Sequence, residues 1–212
     1  MDTNICFFMG YLVGTINPSY IISRIKGFDI RAKGSHNAGA SNAVILLGKS
    51  IGILCALFDI LKTVAVIALT TYLCPDYLYA FVLTGSACIL GHIFPFYMDF
   101  RGGKGLACLG GMILSYNRRV FLVFLAAELV IVLVSNYICF VPVTASCAFS
   151  VVYAFMTRDW IGTLILTAVF AIIVFRHTEN FRRIRAGTEM RISYLWNKEA
   201  ELARLHETES QQ

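Results

Sequence analysis

From Ser50 to Leu73 the chain reads S-I-G-I-L-C-A-L-F-D-I-L-K-T-V-A-V-I-A-L-T-T-Y-L, with Asp59 and Lys62 as its only charged residues. An α-helix needs about 20 mostly apolar residues to cross the hydrocarbon layer of a bilayer, and this stretch is long enough. Lipid offers no hydrogen-bond partners, so a spanning segment must satisfy its backbone groups within itself, as a helix does. The stretch therefore predicts a membrane-spanning helix.

Runs of the same kind recur along nearly the whole chain of 212 residues, of which 58% are hydrophobic and 15% charged. That composition is too apolar for a single soluble core. The other runs lie at approximately 5–25, 77–98, 119–138, 141–157 and 160–176, with a shorter one at 105–117. We therefore predict an all-α integral membrane protein with seven transmembrane helices, one of them short.

The distribution of Lys and Arg predicts which side each loop faces, because both residues favour the cytoplasmic side. With seven spans and the N-terminus outside, only Arg118, Arg119 and Arg158 of the 18 basic residues face outward, and Lys62 lies in a span. Six spans would divide the basic residues between the two faces. We therefore predict an N-terminus outside the cell and a cytoplasmic C-terminus.

The two ends of the chain differ in character. The first run has no positively charged leader and contains Asn17-Pro18, which indicates a retained helix and not a cleaved signal peptide. Residues 193–212 place a few large apolar side chains among charges, which is typical of an amphipathic surface helix or of a disordered tail. We predict a membrane domain over 1–192, followed by this cytoplasmic tail.

The seven Cys and four His residues are scattered, with no C-x-x-C pair and no short metal-ligand spacing. We therefore expect no disulfide framework, no metal site and no cofactor. Within the spans, Asp59 and Lys62 stand three residues apart on one helical face and are expected to form a structural ion pair. Glu128 either lines the bundle interior or accepts a hydrogen bond from another helix.

Three polar segments, at 26–49, 99–104 and 176–191, meet at the cytoplasmic face in this topology. A site built from them would be basic, glycine-rich and next to lipid. Those properties suit an anionic head group that carries an acyl chain.

The first segment reads K-G-F-D-I-R-A-K-G-S-H-N-A-G-A-S-N from Lys26 to Asn42. Its Gly, Ser and Asn residues can offer N–H groups and hydroxyls to an anion, and Arg31 and Lys33 add positive potential. The alternative is an ordinary loop in which Ser41 or Asn42 caps the following helix. Composition alone favours neither.

The second segment reads G-H-I-F-P-F-Y-M-D-F-R-G-G-K-G from Gly91 to Gly105 and gives the sharper signal. Glycines and Lys104 at a helix N-terminus let the backbone approach a phosphate, while the helix dipole and the ammonium group attract it. The spacing is not that of a nucleotide P-loop. The alternative is a plain cytoplasmic turn that obeys the positive-inside rule.

The third segment reads R-H-T-E-N-F-R-R-I-R-A-G-T-E from Arg176 to Glu189. If the last helix continues beyond the membrane, His177 and Asn180 share one face and can hold one substrate phosphate. The alternative is a solvated helix end whose long basic side chains reach back to the interface.

Taken in this order, the three segments resemble the acyl-phosphate-dependent glycerol-3-phosphate acyltransferases of bacterial membranes, the PlsY family. The matching blocks are N-P-S-Y-I-I-S-R-I-K-G-F-D-I-R with K-G-S-H-N-A-G-A-S-N, then F-D-I-L-K, G-H-I-F-P with F-R-G-G-K-G, and R-H-T-E-N with R-A-G-T-E. The resemblance implies transfer of a fatty acyl group from acyl phosphate to the 1-hydroxyl of sn-glycerol 3-phosphate, releasing phosphate and lysophosphatidic acid. It also implies a multi-pass protein among the lipids of the bacterial inner membrane, an active site facing the cytoplasm, an upstream enzyme that makes acyl phosphate, and no nucleic-acid partner.

Carried over residue by residue, the resemblance implies a phosphate-binding glycine block with Lys104, and a serine, Ser35, that orients a substrate. The implied catalytic residues are Ser35, Lys104, His177 and Asn180, and the implied substrate-binding residues are Arg31, Asn37, Gly102, Gly103, Gly105 and Glu189. An acyl phosphate is already activated, so the enzyme can act largely by positioning and by neutralising charge. The general base is open between His177 and a phosphate oxygen of the substrates.

Four positions depart from the family pattern: Ile45 where arginine is usual, His36 where glycine is usual, and Asn136 and Cys139 where arginine and serine are common. Isoleucine cannot supply the fixed charge and the paired donors of arginine. Either Arg31, Lys33 or His36 supplies the missing charge, or the chain is a paralogue with altered substrate or low activity. A small anion transporter is the alternative from another class, but it should show two related halves, and the sequence has no convincing internal repeat.

Overall fold

The computed structural model of this protein describes residues 1–210, and every regular element in that range is a helix. The helices are α1 (Asp2–Thr15), α2 (Pro18–Ile25), α3 (Ala40–Leu47), α4 (Lys49–Leu73), α5 (Ala80–Ile93), α6 (Leu106–Tyr116), α7 (Arg118–Ser135), α8 (Phe140–Thr157), α9 (Trp160–Arg185) and α10 (Lys198–Ser210). Short 3₁₀ turns lie at Ile30–Ala32, Phe96–Met98 and Ile192–Leu195. The predicted all-α class is confirmed.

Five segments within residues 1–210 are long and apolar enough to cross a membrane: Asp2–Ile25, Lys49–Leu73, Ala80–Met98, Phe140–Thr157 and Trp160–Arg185. Helix α6 has 11 residues, in agreement with the predicted short run. Helix α7 has 18 residues, begins with Arg118 and Arg119, and exposes a series of leucines on one side. The integral membrane architecture is confirmed, whereas the count of seven spans and the orientation of the termini stay predictions.

The first run is two helices with a break between them. Pro18 occupies the first position of α2, where its missing N–H group costs nothing, and Asn17 is the N-cap. The break leaves carbonyl groups without helical partners, and these are satisfied from another helix: the Lys62 ammonium donates to the oxygens of Gly14 at 3.0 Å and Ile16 at 2.6 Å. A buried lysine on α4 therefore stabilises the end of α1.

Helix α5 lies at the centre of the bundle, with two thirds of its span buried. Helix α1 packs along it so closely that a Cβ atom on Gly14 would meet the carbonyl oxygen of Cys88, and one on Gly91 would meet that of Tyr11. Small residues permit such close backbone approach between membrane helices. The C-terminal end of α5 is thereby fixed against the break in the first run.

The chain beyond α9 folds back onto the bundle. The N–H groups of Ile192 and Ser193 donate to the carbonyl and side-chain oxygens of Asn136 at 2.9 and 3.2 Å, and the Lys49 ammonium donates to the Leu195 carbonyl at 2.5 Å. Helix α10 follows. The predicted boundary between 192 and 193 stays a prediction, and the last two residues of the predicted tail lie outside the described range.

Candidate active site

A loop rich in glycine connects the end of α5 to the start of α6. The N–H groups of Gly102 and Gly103 donate at 3.0 Å to the carbonyl oxygens of Ile93 and His92. A Cβ atom on Gly102 would meet the His92 carbonyl, and one on Gly103 would meet the His92 ring. Both glycines therefore allow the loop to lie directly on the end of α5, and their N–H groups are used inside the protein.

The loop delivers Lys104 and Gly105 to the N-terminus of α6. Gly105 has a φ of +87°, a left-handed conformation that suits glycine, and its carbonyl accepts the first helical hydrogen bond from Leu109 at 2.8 Å. The leading N–H groups of a helix have no partner within that helix and form the positive end of its dipole. An anion next to Lys104 would meet both the ammonium and these N–H groups.

Helix α9 supplies the opposite side of the site. It continues to Arg185, well beyond the predicted end of the apolar run at 176, so His177 and Asn180 lie on one buried face of the same helix. The His177 ring nitrogen Nδ1 lies 2.7 Å from the carbonyl oxygen of Ile173. Because a carbonyl oxygen can only accept, Nδ1 carries a proton and Nε2 is the ring atom that can take one up.

Asn180 connects the second and third polar segments. Its Oδ1 accepts a hydrogen bond from the Lys104 ammonium, and its Nδ2 donates to Oε1 of the buried Glu189 at 2.5 Å. The other Glu189 oxygen accepts from Arg183 Nε at 2.6 Å. Glu189 therefore fixes which way the Asn180 amide faces, and the amide in turn fixes Lys104.

Positive charge crowds around Lys104. The pKa of Lys104 is lowered to about 8, mainly by burial and further by the Arg183 guanidinium. Among the residues that the structure describes, Arg183 Nη2 and Arg176 Nε are buried and have no hydrogen-bond partner. Unpaired buried donors of this kind are costly unless a ligand satisfies them. We had not predicted Arg176 or Arg183 as site residues, although both lie in the third segment.

The first segment is organised by a single buried side chain, that of Asn42. Its Oδ1 accepts from the Ser35 N–H at 2.9 Å, and its Nδ2 lies 2.9 to 3.0 Å from the carbonyl oxygens of Ile30, Lys33 and Asn37. Asn42 therefore holds the loop in a closed form. Ser35 and Asn37 are half-buried and bonded to Asn42, and not, within residues 1–210, to Lys104 or Asn180.

The predicted capping role of Ser41 or Asn42 is wrong, because α3 begins at Ala40 and Gly39 is its N-cap. Both residues lie inside the first turn, where Asn42 turns back to bond the preceding loop. The sequence pattern identified the start of the helix to within three residues but could not show that the polar side chain of Asn42 bonds the preceding loop.

Arg31 links the first segment to the second. Its guanidinium donates to the Met98 carbonyl at 2.5 Å and pairs with Asp29 at 2.8 Å. The hydrogen bond between Arg31 and Asp29 lowers the pKa of Asp29 and raises that of Arg31. Arg31 is thus held between two loops near the glycine block.

A buried charge cluster lies beneath the glycine block. The predicted pair of Asp59 and Lys62 is confirmed, with a distance of 2.6 Å and both side chains almost fully buried. His92, which we had not predicted to belong to this cluster, places its Nδ1 3.4 Å from the Asp59 carboxylate. Asp59, His92 and Cys108 are close enough to share a metal ion, but the Lys62 ammonium already occupies the carboxylate and would repel a second cation.

Residues 4–187 match the family model described as glycerol-3-phosphate acyltransferase. The chain belongs to the glycerol-3-phosphate acyltransferase family. The chain is 34% identical to the glycerol-3-phosphate acyltransferase of Lactiplantibacillus plantarum, over 92% of this chain and 94% of that one, and 31% identical to the Bacillus subtilis protein of the same name, over 88% and 96%. A crystal structure of PlsY (YgiH), described as an integral membrane glycerol 3-phosphate acyltransferase in its glycerol 3-phosphate form, superposes with a TM-score of 0.83 at 29% identity, covering 92% of this chain and 98% of that one. The lysophosphatidic acid form of the same protein superposes with a TM-score of 0.80 at 28% identity.

The predicted resemblance to the PlsY family is thereby confirmed, and this member of the family is a membrane acyltransferase. Its four departures from the family pattern have distinct surroundings, and Asn136 bonds the chain beyond α9 as described above. His36 has a φ of +55°, a conformation that glycine adopts more easily, and Ile45 is half-buried on α3. Cys139 is buried directly before α8, and burial together with the Glu189 charge raises the pKa of its thiol to about 11.

In this acyltransferase an apolar groove of about 370 Å³ runs between α7 and α8, lined by Val130, Ile131, Val134, Ser135, Phe140 and Thr144. Phe140 also contacts Phe181 of α9, next to Asn180, with 5.8 Å between ring centroids. Glu128 accepts a hydrogen bond from the Thr144 hydroxyl at 2.7 Å, which confirms the second of the two predicted environments. The groove therefore ends close to the polar group around Lys104.

Proposed function

We propose that this protein transfers a fatty acyl group from an acyl phosphate to the 1-hydroxyl of sn-glycerol 3-phosphate, giving lysophosphatidic acid and phosphate. The observation that carries the proposal is the set of buried cationic donors around Lys104, at a helix N-terminus and beside an apolar groove. Two solved structures of one relative, PlsY (YgiH), described as its glycerol 3-phosphate form and its lysophosphatidic acid form, support the acceptor and the product.

In the proposed complex a substrate phosphate lies between Lys104, the N-terminus of α6 and the guanidinium of Arg183. These groups are fixed before substrate arrives, so they stabilise negative charge without reorganising. The unpaired donor of Arg183 supports an anion at this position. The acyl chain of the donor occupies the groove between α7 and α8, which places an apolar tail and a charged head on adjoining surfaces.

The chemical step is attack of the 1-hydroxyl oxygen on the carbonyl carbon of the acyl phosphate. The new C–O bond forms as the bond between the carbonyl carbon and the bridging phosphate oxygen breaks, and phosphate leaves with the electron pair. The hydroxyl proton passes either to Nε2 of His177, whose Nδ1 already carries a proton, or to a phosphate oxygen. His177, Asn180 and Lys104 thus act on the reacting groups and on the charge that develops.

The remaining predicted residues have supporting roles in this proposal. Ser35 and Asn37 lie in the loop that Asn42 closes, and Ser35 orients a substrate hydroxyl from there. Arg31 holds that loop against the glycine block. Gly102 and Gly103 provide close approach to α5, and Gly105 begins the helix that faces the anion.

We further propose the topology inferred from charge: seven spans, an N-terminus outside, and a site that faces the cytoplasm of a bacterial inner membrane. The acyl phosphate then comes from an enzyme that acts upstream. The proposal is supported by the concentration of Lys and Arg in the segments that form the site. Accessibility labelling of single cysteines placed at 99–104 and at Asn117 from each side of sealed vesicles tests it, since the two positions are expected to label from opposite sides with seven spans and from the same side if 105–117 does not cross.

The reaction is tested with purified protein, labelled glycerol 3-phosphate and either palmitoyl phosphate or palmitoyl-CoA. Lysophosphatidic acid formed from palmitoyl phosphate alone, lost in Lys104→Ala and retained in Lys26→Ala, is the expected result. Lys26 is exposed in a polar loop and controls for loss of one positive charge. No product from either donor, in protein that retains its helix content, would contradict the proposal and point to another acceptor.

A further inference from the structure

Helix α10 lies against the turn that follows α9. The Arg204 guanidinium donates to the carbonyl oxygens of Gly187 and Glu189, the second at 2.8 Å. Gly187 has a φ of +75°, which reverses the chain at the end of α9. The side chain of Arg204 therefore bonds the backbone on both sides of Thr188.

Arg204 is itself held by Glu201, one turn earlier on α10. Two guanidinium nitrogens of Arg204, Nε and Nη2, donate to the two carboxylate oxygens of Glu201 at 3.1 and 2.6 Å. Glu201 is only 4% exposed, and its Oε1 also accepts the N–H group of Arg191 at 2.8 Å. Together Glu201 and Arg204 make hydrogen bonds to the chain at 187, 189 and 191, and we call this pair the C-terminal clamp.

The clamped turn contains a residue of the candidate active site. The Glu189 carbonyl is bonded by Arg204, while the Glu189 carboxylate accepts from Asn180 and Arg183. Asn180 in turn accepts from Lys104. A continuous series of hydrogen bonds thus runs from α10 through the turn to the lysine of the glycine loop.

The clamp lies outside the part of the chain that the family model matches, which ends at residue 187. Sequence alone left residues 193–212 as an amphipathic surface helix or a disordered tail. In the structure α10 is attached to the protein through a buried carboxylate, that of Glu201. Arg204 pairs with a carboxylate and also donates to backbone carbonyl groups of one turn. Such a contact is specific, because the planar guanidinium must meet several oxygens at once.

We propose that Arg204, held by Glu201, is a positioning residue that fixes Glu189 and thereby the orientation of Asn180 and Lys104 toward a substrate phosphate. The proposal rests on the proposed function for its kinetic consequence. Loss of the clamp leaves Glu189, Asn180 and Lys104 in the chain but releases the turn that aligns them. Because Lys104 contacts the phosphate of bound substrate, the loss is felt mainly in the KM for glycerol 3-phosphate.

The test compares Arg204→Gln, Arg204→Lys and a control, Arg182→Gln, which removes one positive charge from an exposed position on α9. We expect Arg204→Gln to raise the KM for glycerol 3-phosphate about tenfold, the order of loss typical when a supporting hydrogen bond to a functional group is removed. Arg204→Lys keeps the charge but loses the planar guanidinium group. Its KM is expected to lie between those of Arg204→Gln and the wild type. The KM of Arg182→Gln is expected to stay within about twofold of the wild-type value.

Hydrogen exchange of the backbone at 187–191 provides a readout that needs no catalysis. The N–H group of Arg191 is bonded by Glu201, so Arg204→Gln and Glu201→Gln are both expected to speed exchange in this turn while leaving α4 and α5 protected. Unchanged exchange in both variants overturns the clamp. Faster exchange with an unchanged KM overturns the positioning role. If the wild type makes no product, the proposed function fails, and the exchange result still decides whether the clamp exists.

Discussion

Replacing Lys62 with methionine removes the cation from the buried charge cluster beneath the glycine block. The ammonium makes four contacts: to Asp59 at 2.6 Å, to the carbonyl oxygens of Gly14 and Ile16 at 3.0 and 2.6 Å, and to His92 Nδ1 at 3.3 Å. Methionine has a similar length and is apolar, so it fills the space without replacing any of them. The substitution isolates the electrostatic contribution of the lysine from its volume.

The expected cost follows from these contacts. Removing one partner of a buried ion pair typically destabilises a protein by about 3–5 kcal/mol, because the remaining charge is left uncompensated. His92 at 3.4 Å still faces the Asp59 carboxylate, so we expect the lower end, about 3 kcal/mol. In the double variant Asp59→Asn, Lys62→Met, the stranded charge is gone, and the two unpaired carbonyl groups leave a cost of about 2 kcal/mol.

The assay is unfolding of the purified protein in mixed detergent with increasing sodium dodecyl sulfate, followed by far-ultraviolet circular dichroism. Lys49→Met is the matched control, because Lys49 begins the same helix but is exposed and bonds a single carbonyl, that of Leu195. We expect the control to lose less than about 1 kcal/mol. If Lys62→Met is no less stable than Lys49→Met, or if the double variant is less stable than Lys62→Met, the cluster does not hold the break in the first helix as described.

Four further outcomes are expected. Gly103→Ala places a Cβ atom against the His92 ring and should displace the glycine loop, with at least a tenfold loss of kcat/KM, whereas Gly110→Ala, on α6, adds only an ordinary van der Waals contact with Phe121 and should be tolerated. Because Lys104 has a pKa of about 8 and binds phosphate as the ammonium, kcat/KM for glycerol 3-phosphate should fall as pH rises through about 8, and Lys104→Arg should flatten that decline if it retains activity. Asn42→Ala should cost about 1–3 kcal/mol and open the loop at 30–42 to limited proteolysis, while Asn4→Ala, at an exposed position of α1, serves as the comparison. The Cys139 thiol, with a pKa of about 11, should resist iodoacetamide at neutral pH, and rapid inactivation that Cys139→Ser prevents would show that the thiol is not buried as described.

The spans could be predicted from sequence because the bilayer imposes a length and a composition on each of them. The predicted run at 50–73 corresponds to α4 at Lys49–Leu73. The run at 160–176 ended too early, because hydropathy shows where the apolar stretch ends and not where the helix ends. Helix α9 continues to Arg185 on residues that pair with the turn at 187–189. Hydropathy also treats α1 and α2 as one run, although Pro18 marks the break.

The candidate site was predictable only in part. Resemblance indicated Lys104, Asn180 and Glu189, and the structure brings these three into one hydrogen-bonded group. The resemblance could not show that the N–H groups of Gly102 and Gly103 are used within the protein, because that depends on how the loop lies on α5. Contacts between residues far apart in the chain have no local periodicity to reveal them.

The position of the clamp after the last membrane helix bears on how the protein is made. Glu201 and Arg204 leave the ribosome after all of α1 to α9, so the turn that carries Glu189 cannot take its final form until the whole helical bundle has been synthesised. Truncated products would insert their membrane helices and still lack an aligned site.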